Sequence, residues 1–109
     1  MAVTLLALFK RPEGGPDALA TFLARYHSEH LSLIARVPGL RATRVEQVTG
    51  NYAGDDLVVV TRMTFDDQPA LDAAMASAEM RAAGRNLREI APGLLTLLAL
   101  GADAAEAGA

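Results

Sequence analysis

The chain has no cysteine, no tryptophan, no run of lysine or arginine, and no apolar stretch long enough to cross a bilayer. Each absence closes off a class of function. Without cysteine there is no disulfide framework and no thiolate nucleophile, and nothing asks for an oxidising compartment. At a net charge of −3 with no basic run, the electrostatic footprint of a nucleic-acid binder is missing. The opening apolar segment runs only from Ala2 to Phe9. A membrane helix needs about 20 such residues, and a signal peptide would carry a basic segment ahead of its apolar one. The expectation is a cytoplasmic protein with no nucleic-acid and no membrane partner. There is also no Gly-rich phosphate loop and no Ser–His–Asp order.

What is present reads as one globular domain over residues 1–100. Over 109 residues, 51% hydrophobic content against 21% charge supports one packed core and excludes disorder. Residues 101–109, GADAAEAGA, carry no apolar pattern and are expected to form a frayed tail.

The stretch from Pro16 to Gly39 predicts a long amphipathic helix, started by Pro16 and Asp17 and stopped by Pro38-Gly39. With Tyr26 set at zero on a helical wheel, Leu19, Phe22, Leu23, Leu33 and Val37 fall within roughly 60°, and Ile34 at about 80°. His30 falls at about 40°, inside the apolar stripe. The helix therefore turns its most chemically capable side chain toward whatever it covers. Glu29 and His27 flank the stripe.

Val3–Lys10 and Leu57–Phe65 are apolar on both faces, which predicts central strands. Leu40–Thr49 carries charge on both faces and predicts an edge strand. Asp66 or Asp67 caps a helix beginning at Pro69, a further helix covers Ala78–Ile90, and Leu94–Leu100 is a last apolar strand. The order strand–helix–strand–strand–helix–strand is that of a ferredoxin-like α+β domain, βαββαβ. Its four-stranded antiparallel sheet has helices on one face. The other face is left bare beside an apolar edge strand, and a two-fold homodimer through the sheet faces covers both.

The sequence resembles the EthD family of dimeric α/β-barrel proteins over roughly Val3 to Leu100. Three segments carry the resemblance: LLALFKRPE from Leu5, FLARYHSEHLSLIARVPGLR from Phe22, and TFDDQPALDAAMASAEMRAAG from Thr64. Within them an aromatic (Tyr26), a histidine four residues on (His30) and Pro38-Gly39-Leu40 follow in order. The resemblance implies a ferredoxin-like subunit, a dimer, and a pocket between helices and sheet. It also implies a link to breakdown of ethers and other small organic compounds. Relatives in the wider superfamily include cofactor-free monooxygenases, lactone isomerases and haem-degrading enzymes. Haem is disfavoured, because the chain has no tryptophan and no histidine after His30.

His30 is the candidate acid/base, since an apolar surrounding disfavours imidazolium and leaves a ring able to accept a proton. Tyr26, one turn earlier, is placed to orient a substrate oxygen, with Phe22, Leu23 and Ile34 as the pocket's substrate-binding wall. A core histidine hydrogen-bonded to a carbonyl or to Tyr26 is equally consistent with the pattern, and for Tyr26 aromatic core filler is the favoured reading. His27 reads as a surface histidine. His27, His30 and Glu29 fall short of the four ligands of a structural zinc, and with no second cluster in the sequence no metal and no other cofactor is expected. Arg44, Glu46 and Arg62 read as exposed strand charges. Two classes of function remain: an enzyme acting on a small hydrophobic, oxygenated compound by proton transfer or cofactor-free oxidation, or a non-catalytic binding protein using the same pocket.

Overall fold

Four strands, β1 (Val3–Lys10), β2 (Ala42–Gln47), β3 (Leu57–Phe65) and β4 (Leu95–Leu100), make one antiparallel sheet in the order β2-β3-β1-β4. They are seen in a computed structural model that describes residues 1–102. The two strands apolar on both faces, β1 and β3, occupy the centre, and charge-bearing β2 lies at an edge. Register follows from the pleat: Leu5 sits opposite Met63 and Ala99, Ala7 opposite Thr61 and Leu97, and Phe9 opposite Val59 and Leu95. These residues share one face, because side chains alternate along a strand. A bulge at Phe9/Lys10 shifts the pairing so that Lys10 meets Leu57, and Val58 and Val59 are both buried.

The helices are α1 (Gly15–Arg25), α2 (Leu31–Ile34), α3 (Gln68–Met75) and α4 (Ala78–Ile90). Their apolar residues, including Phe22, Tyr26, Ile34, Leu71, Ala74 and Ala83, close over the Leu5–Ala7–Phe9 face as a single core. Asp67 caps α3 by accepting from the Ala70 N–H at 2.9 Å, and Ser77 caps α4 by accepting from Met80 at 3.1 Å. Asp66 instead takes the Arg41 guanidinium at 2.7 and 3.0 Å, which holds its carboxyl below the usual range. The fold is the ferredoxin-like α+β arrangement anticipated from the order of elements.

The first helix and β2 differ most from the sequence reading. The long first helix is not uniformly α: between α1 and α2 the chain makes a π-helical turn, Tyr26–His30. The helix also ends at Ile34, and the chain leaves through a turn in which Gly39 takes φ +79°, a value glycine adopts without strain. β2 is shorter at both ends than Leu40–Thr49. The rest of the expected tail, 103–109, lies outside the described residues.

On the sheet face away from the helices, Leu6, Leu8 and Val60 are half-buried, while Leu98 and Leu100 are 43% and 39% exposed. Arg62 on that face pairs with Glu46 at 3.1 Å. No helix among the described residues is long and apolar enough to cross a membrane.

Candidate functional site

A cavity of about 430 Å³ lies between the sheet and the helices. That is within the ~300–1,000 Å³ typical of small-molecule sites. Its floor is Leu5 and Ala7 of β1 with Thr61 and Met63 of β3. Tyr26, His30 and Ile34 roof it, Met75 and Met80 line one end, and Ala83, Gly84 and Leu87 of α4 form the far wall. Leu95 and Leu97, on the edge strand β4, complete the side that opens toward solvent. Methionine there suits an adaptable lining, since its unbranched thioether fills irregular space.

The π-helical turn carries both polar residues of the roof, Tyr26 as its first residue and His30 as its last. Tyr26 and His30 stack, with ring centroids 5.2 Å apart and planes 29° from parallel. The Tyr26 hydroxyl is hydrogen-bonded to Thr61 Oγ1 across the core. Burial pushes the phenol pKa up, partly opposed by Thr61, so the hydroxyl keeps its proton at neutral pH.

His30 is only 3% exposed, and its tautomer follows from a chain of contacts. Arg25 forks onto Glu29 (Nε to Oε2 2.7 Å, Nη2 to Oε1 3.0 Å) and also reaches Glu89 at 2.9 Å. The Glu29 carboxyl, held below its ordinary range chiefly by Arg25, can only accept. Asn86 Nδ2 donates to Glu29 Oε1 at 3.1 Å, which turns Asn86 Oδ1 toward His30 Nδ1, 3.1 Å away. An amide oxygen cannot donate, so Nδ1 carries the proton and Nε2 carries the lone pair. Nε2 has no hydrogen-bond partner among the described residues, yet no sealed side-chain nitrogen or oxygen among them goes unpartnered. It therefore meets open space, and the space beside this ring is the cavity. Desolvation lowers the His30 pKa, with Asn86 opposing. The result is a neutral imidazole with a basic nitrogen facing an apolar chamber.

The chain aligns with an ethyl tert-butyl ether D (EthD) family protein from Bacillus halodurans at 31% identity. The alignment covers 94% of this chain and 100% of that one, with a TM-score of 0.82. The chain belongs to the EthD family. Similarity of fold extends to a dimeric ferredoxin-like protein of unknown function from Bacteroides fragilis (18% identity, 93% and 96% coverage, TM-score 0.68). It extends also to SnoaB, a cofactor-independent oxygenase from Streptomyces nogalater (21% identity, 94% and 93% coverage, TM-score 0.59). No family model matches the chain, and no curated protein does.

In this EthD-family chain, His30, Tyr26 and Ile34 come together on the cavity wall. Phe22 and Leu23 do not. Phe22 is buried against Phe9 and Tyr26, with centroids 5.7 Å from each, and Leu23 packs at the margin of the core. A helical wheel reports direction around the axis but not height along it. Phe22, one turn before Tyr26, lies on the same side of the helix yet covers Phe9 rather than the cavity. His30 Nδ1 bonds to a carbonyl, the side-chain amide oxygen of Asn86, and not to Tyr26, and His27 is exposed. Among the described residues no three of His, Cys, Asp or Glu cluster as metal ligands would.

Sequence reasoning missed Thr61 and Asn86. Thr61 is one polar position in an apolar central strand, where a buried hydroxyl needs a partner, and that signal was available. Asn86 lies in a helix whose apolar spacing was recognised, but its partner is 56 residues away in sequence.

Proposed function

We propose that this EthD-family protein binds a small hydrophobic, oxygenated compound in the cavity and acts on it with His30 as acid/base, Tyr26 orienting the substrate oxygen. The reading is carried by a buried imidazole on the cavity wall whose Nδ1 is fixed by Asn86 and whose Nε2 has no hydrogen-bond partner among the described residues. Such a group abstracts or returns a proton, which fits isomerisation, dehydration or a cofactor-free oxidation begun by substrate deprotonation. The cofactor-independent oxygenase of like fold is a precedent for the last of these on this architecture, at the level of fold alone. Binding without turnover is the competing reading. It is favoured by the Tyr26 hydroxyl already being tied to Thr61.

The deciding experiment is His30→Gln, which replaces the imidazole by an amide of similar reach that cannot act as a base. Ligand bound and turnover lost supports catalysis by His30; turnover unchanged on the same ligand overturns it.

The proposed assembly is a two-fold homodimer through the outer sheet face. It is supported by the apolar residues Leu6, Leu8, Val60, Leu98 and Leu100 on that face and by the description of ferredoxin-like neighbours as dimeric. The mass measured in solution is expected at twice the 11.4 kDa of the chain. Because Leu6 and Leu98 are register partners at the centre of the patch, Leu6→Glu with Leu98→Glu should return it to one chain. A wild-type protein at the mass of one chain would sink the dimer.

A further inference from the structure

The cavity has a charge asymmetry that the acid/base reading does not use. Its lining contains Arg81, Arg85 and Arg88 and no aspartate or glutamate. This occurs in a chain with 13 acidic residues against 10 basic ones. The three arginines follow one another at i, i+4 and i+7 on α4, which puts them on one stripe of the helix. All three are exposed, at the solvent side of a chamber whose deep end holds Tyr26, His30 and Thr61.

Elsewhere Arg11, Arg25, Arg41, Arg44 and Arg62 each have a carboxylate within salt-bridge distance. Among the described residues none of the three cavity arginines has one. Arg36, away from this cavity, has none either. Arg81 is held over the end of α3 by donating from Nη1 to the Ala76 carbonyl at 2.8 Å, which leaves its other N–H groups available. Arg85 and Arg88 make no side-chain hydrogen bond among the described residues. An apolar chamber lined at its solvent side by three arginines without a carboxylate partner among the described residues is complementary to a molecule that is apolar along its body and anionic at one end.

We propose that the ligand of this cavity is an amphiphilic anion. A carboxylate or phosphate head meets Arg81, Arg85 and Arg88, an apolar body lies over Leu5, Met63 and Leu87, and an oxygen function reaches Tyr26 and His30. The proposal rests on the cavity reading above and narrows it to a substrate class. It also gives the ligand a direction, with the reacting end innermost.

The test is calorimetric titration of the full-length protein with octanoate, octyl phosphate and uncharged octanamide at low and at raised ionic strength. At low salt the anions are expected to bind about tenfold more tightly than octanamide, a gap that closes as salt screens the rim. The triple variant Arg81→Gln, Arg85→Gln, Arg88→Gln should close the same gap at low salt, with octanamide reporting that the chamber is intact. A preference for octanoate over octyl phosphate, or the reverse, identifies which head group the rim fits. Equal affinity for all three compounds, or a preference that survives the triple variant, overturns the proposal and leaves the cavity reading standing. If octanamide and both anions all fail to bind, the cavity reading falls and this inference with it.

Discussion

Phe9→Ala is expected to lower the free energy of unfolding by about 3–5 kcal/mol, the range for emptying a buried aromatic site. Phe9 has no exposed surface. It lies where the central strand meets the first helix, 5.7 Å from the Phe22 ring and 5.0 Å from Tyr26, the latter edge-on at 67°. On the sheet it is flanked by Val59 and Leu95. Truncation therefore removes both the transfer term and two aromatic contacts, and β1, held from both sides by β3 and β4, cannot collapse into the void. A domain of this size has roughly 5–15 kcal/mol of net stability, so the variant should sit near the edge of folding. Urea unfolding followed by far-UV circular dichroism checks this through a fall in midpoint at unchanged slope. A loss below about 1 kcal/mol would mean the aromatic cluster is not the centre of the core.

The second large effect falls on chemistry. His30→Gln is expected to cut turnover by roughly 10²–10⁴-fold, the usual contribution of one positioned acid/base group. The proposed activity is expected to carry a pH signature with a definite sign. Burial lowers the His30 pKa from its ordinary 6.5, so the proton-accepting form persists on the acid side of that value. Activity should be lost only as pH falls through the lowered value. Stability follows the same direction. The unfolded chain takes up this proton at higher pH than the folded one, so the His30 contribution is present above pH 6.5 and is lost as pH falls through the folded pKa. Glu29, also depressed, acts in a separate window below its ordinary 4.5. Unfolding measured across pH in wild type and His30→Gln separates them. The variant should lose the slope near and below pH 6.5 and keep the one below pH 4.5.

The Asn86 amide adds a check on the geometry. Its role is to present an acceptor to Nδ1, so Asn86→Asp should raise the His30 pKa by placing a carboxylate where an amide oxygen stood. Imidazole proton resonances followed against pH read that shift without any assay of turnover. An unmoved His30 pKa would mean that this contact does not set the ring's protonation.

The strands that were legible from sequence were legible for a local reason. Val3–Lys10 and Leu57–Phe65 carry apolar residues on both faces, and the middle of the sheet buries both. α4 announced itself by Met80, Ala83, Leu87 and Ile90 at helical spacing. The π-helical turn was not legible. Over five residues its apolar period differs too little from that of an α-helix for YHSEH to register it. The arginine stripe of α4 was visible in the letters, but a charged stripe on a helix normally means solvent. Only the cavity beneath it changes that meaning.

The amino-acid sequence by itself determined the order of elements, the central and edge strands, and the fact that Tyr26 and His30 face inward. Those are properties of short-range periodicity, in which each residue is constrained by neighbours a few positions away. Tertiary structure alone decided which residues bound the cavity, that Thr61 holds the tyrosine, and that Asn86 and Glu29 set the histidine's tautomer. These pairings join positions 35 to 57 residues apart. Nothing in the local pattern can favour them until the sheet has brought the segments together.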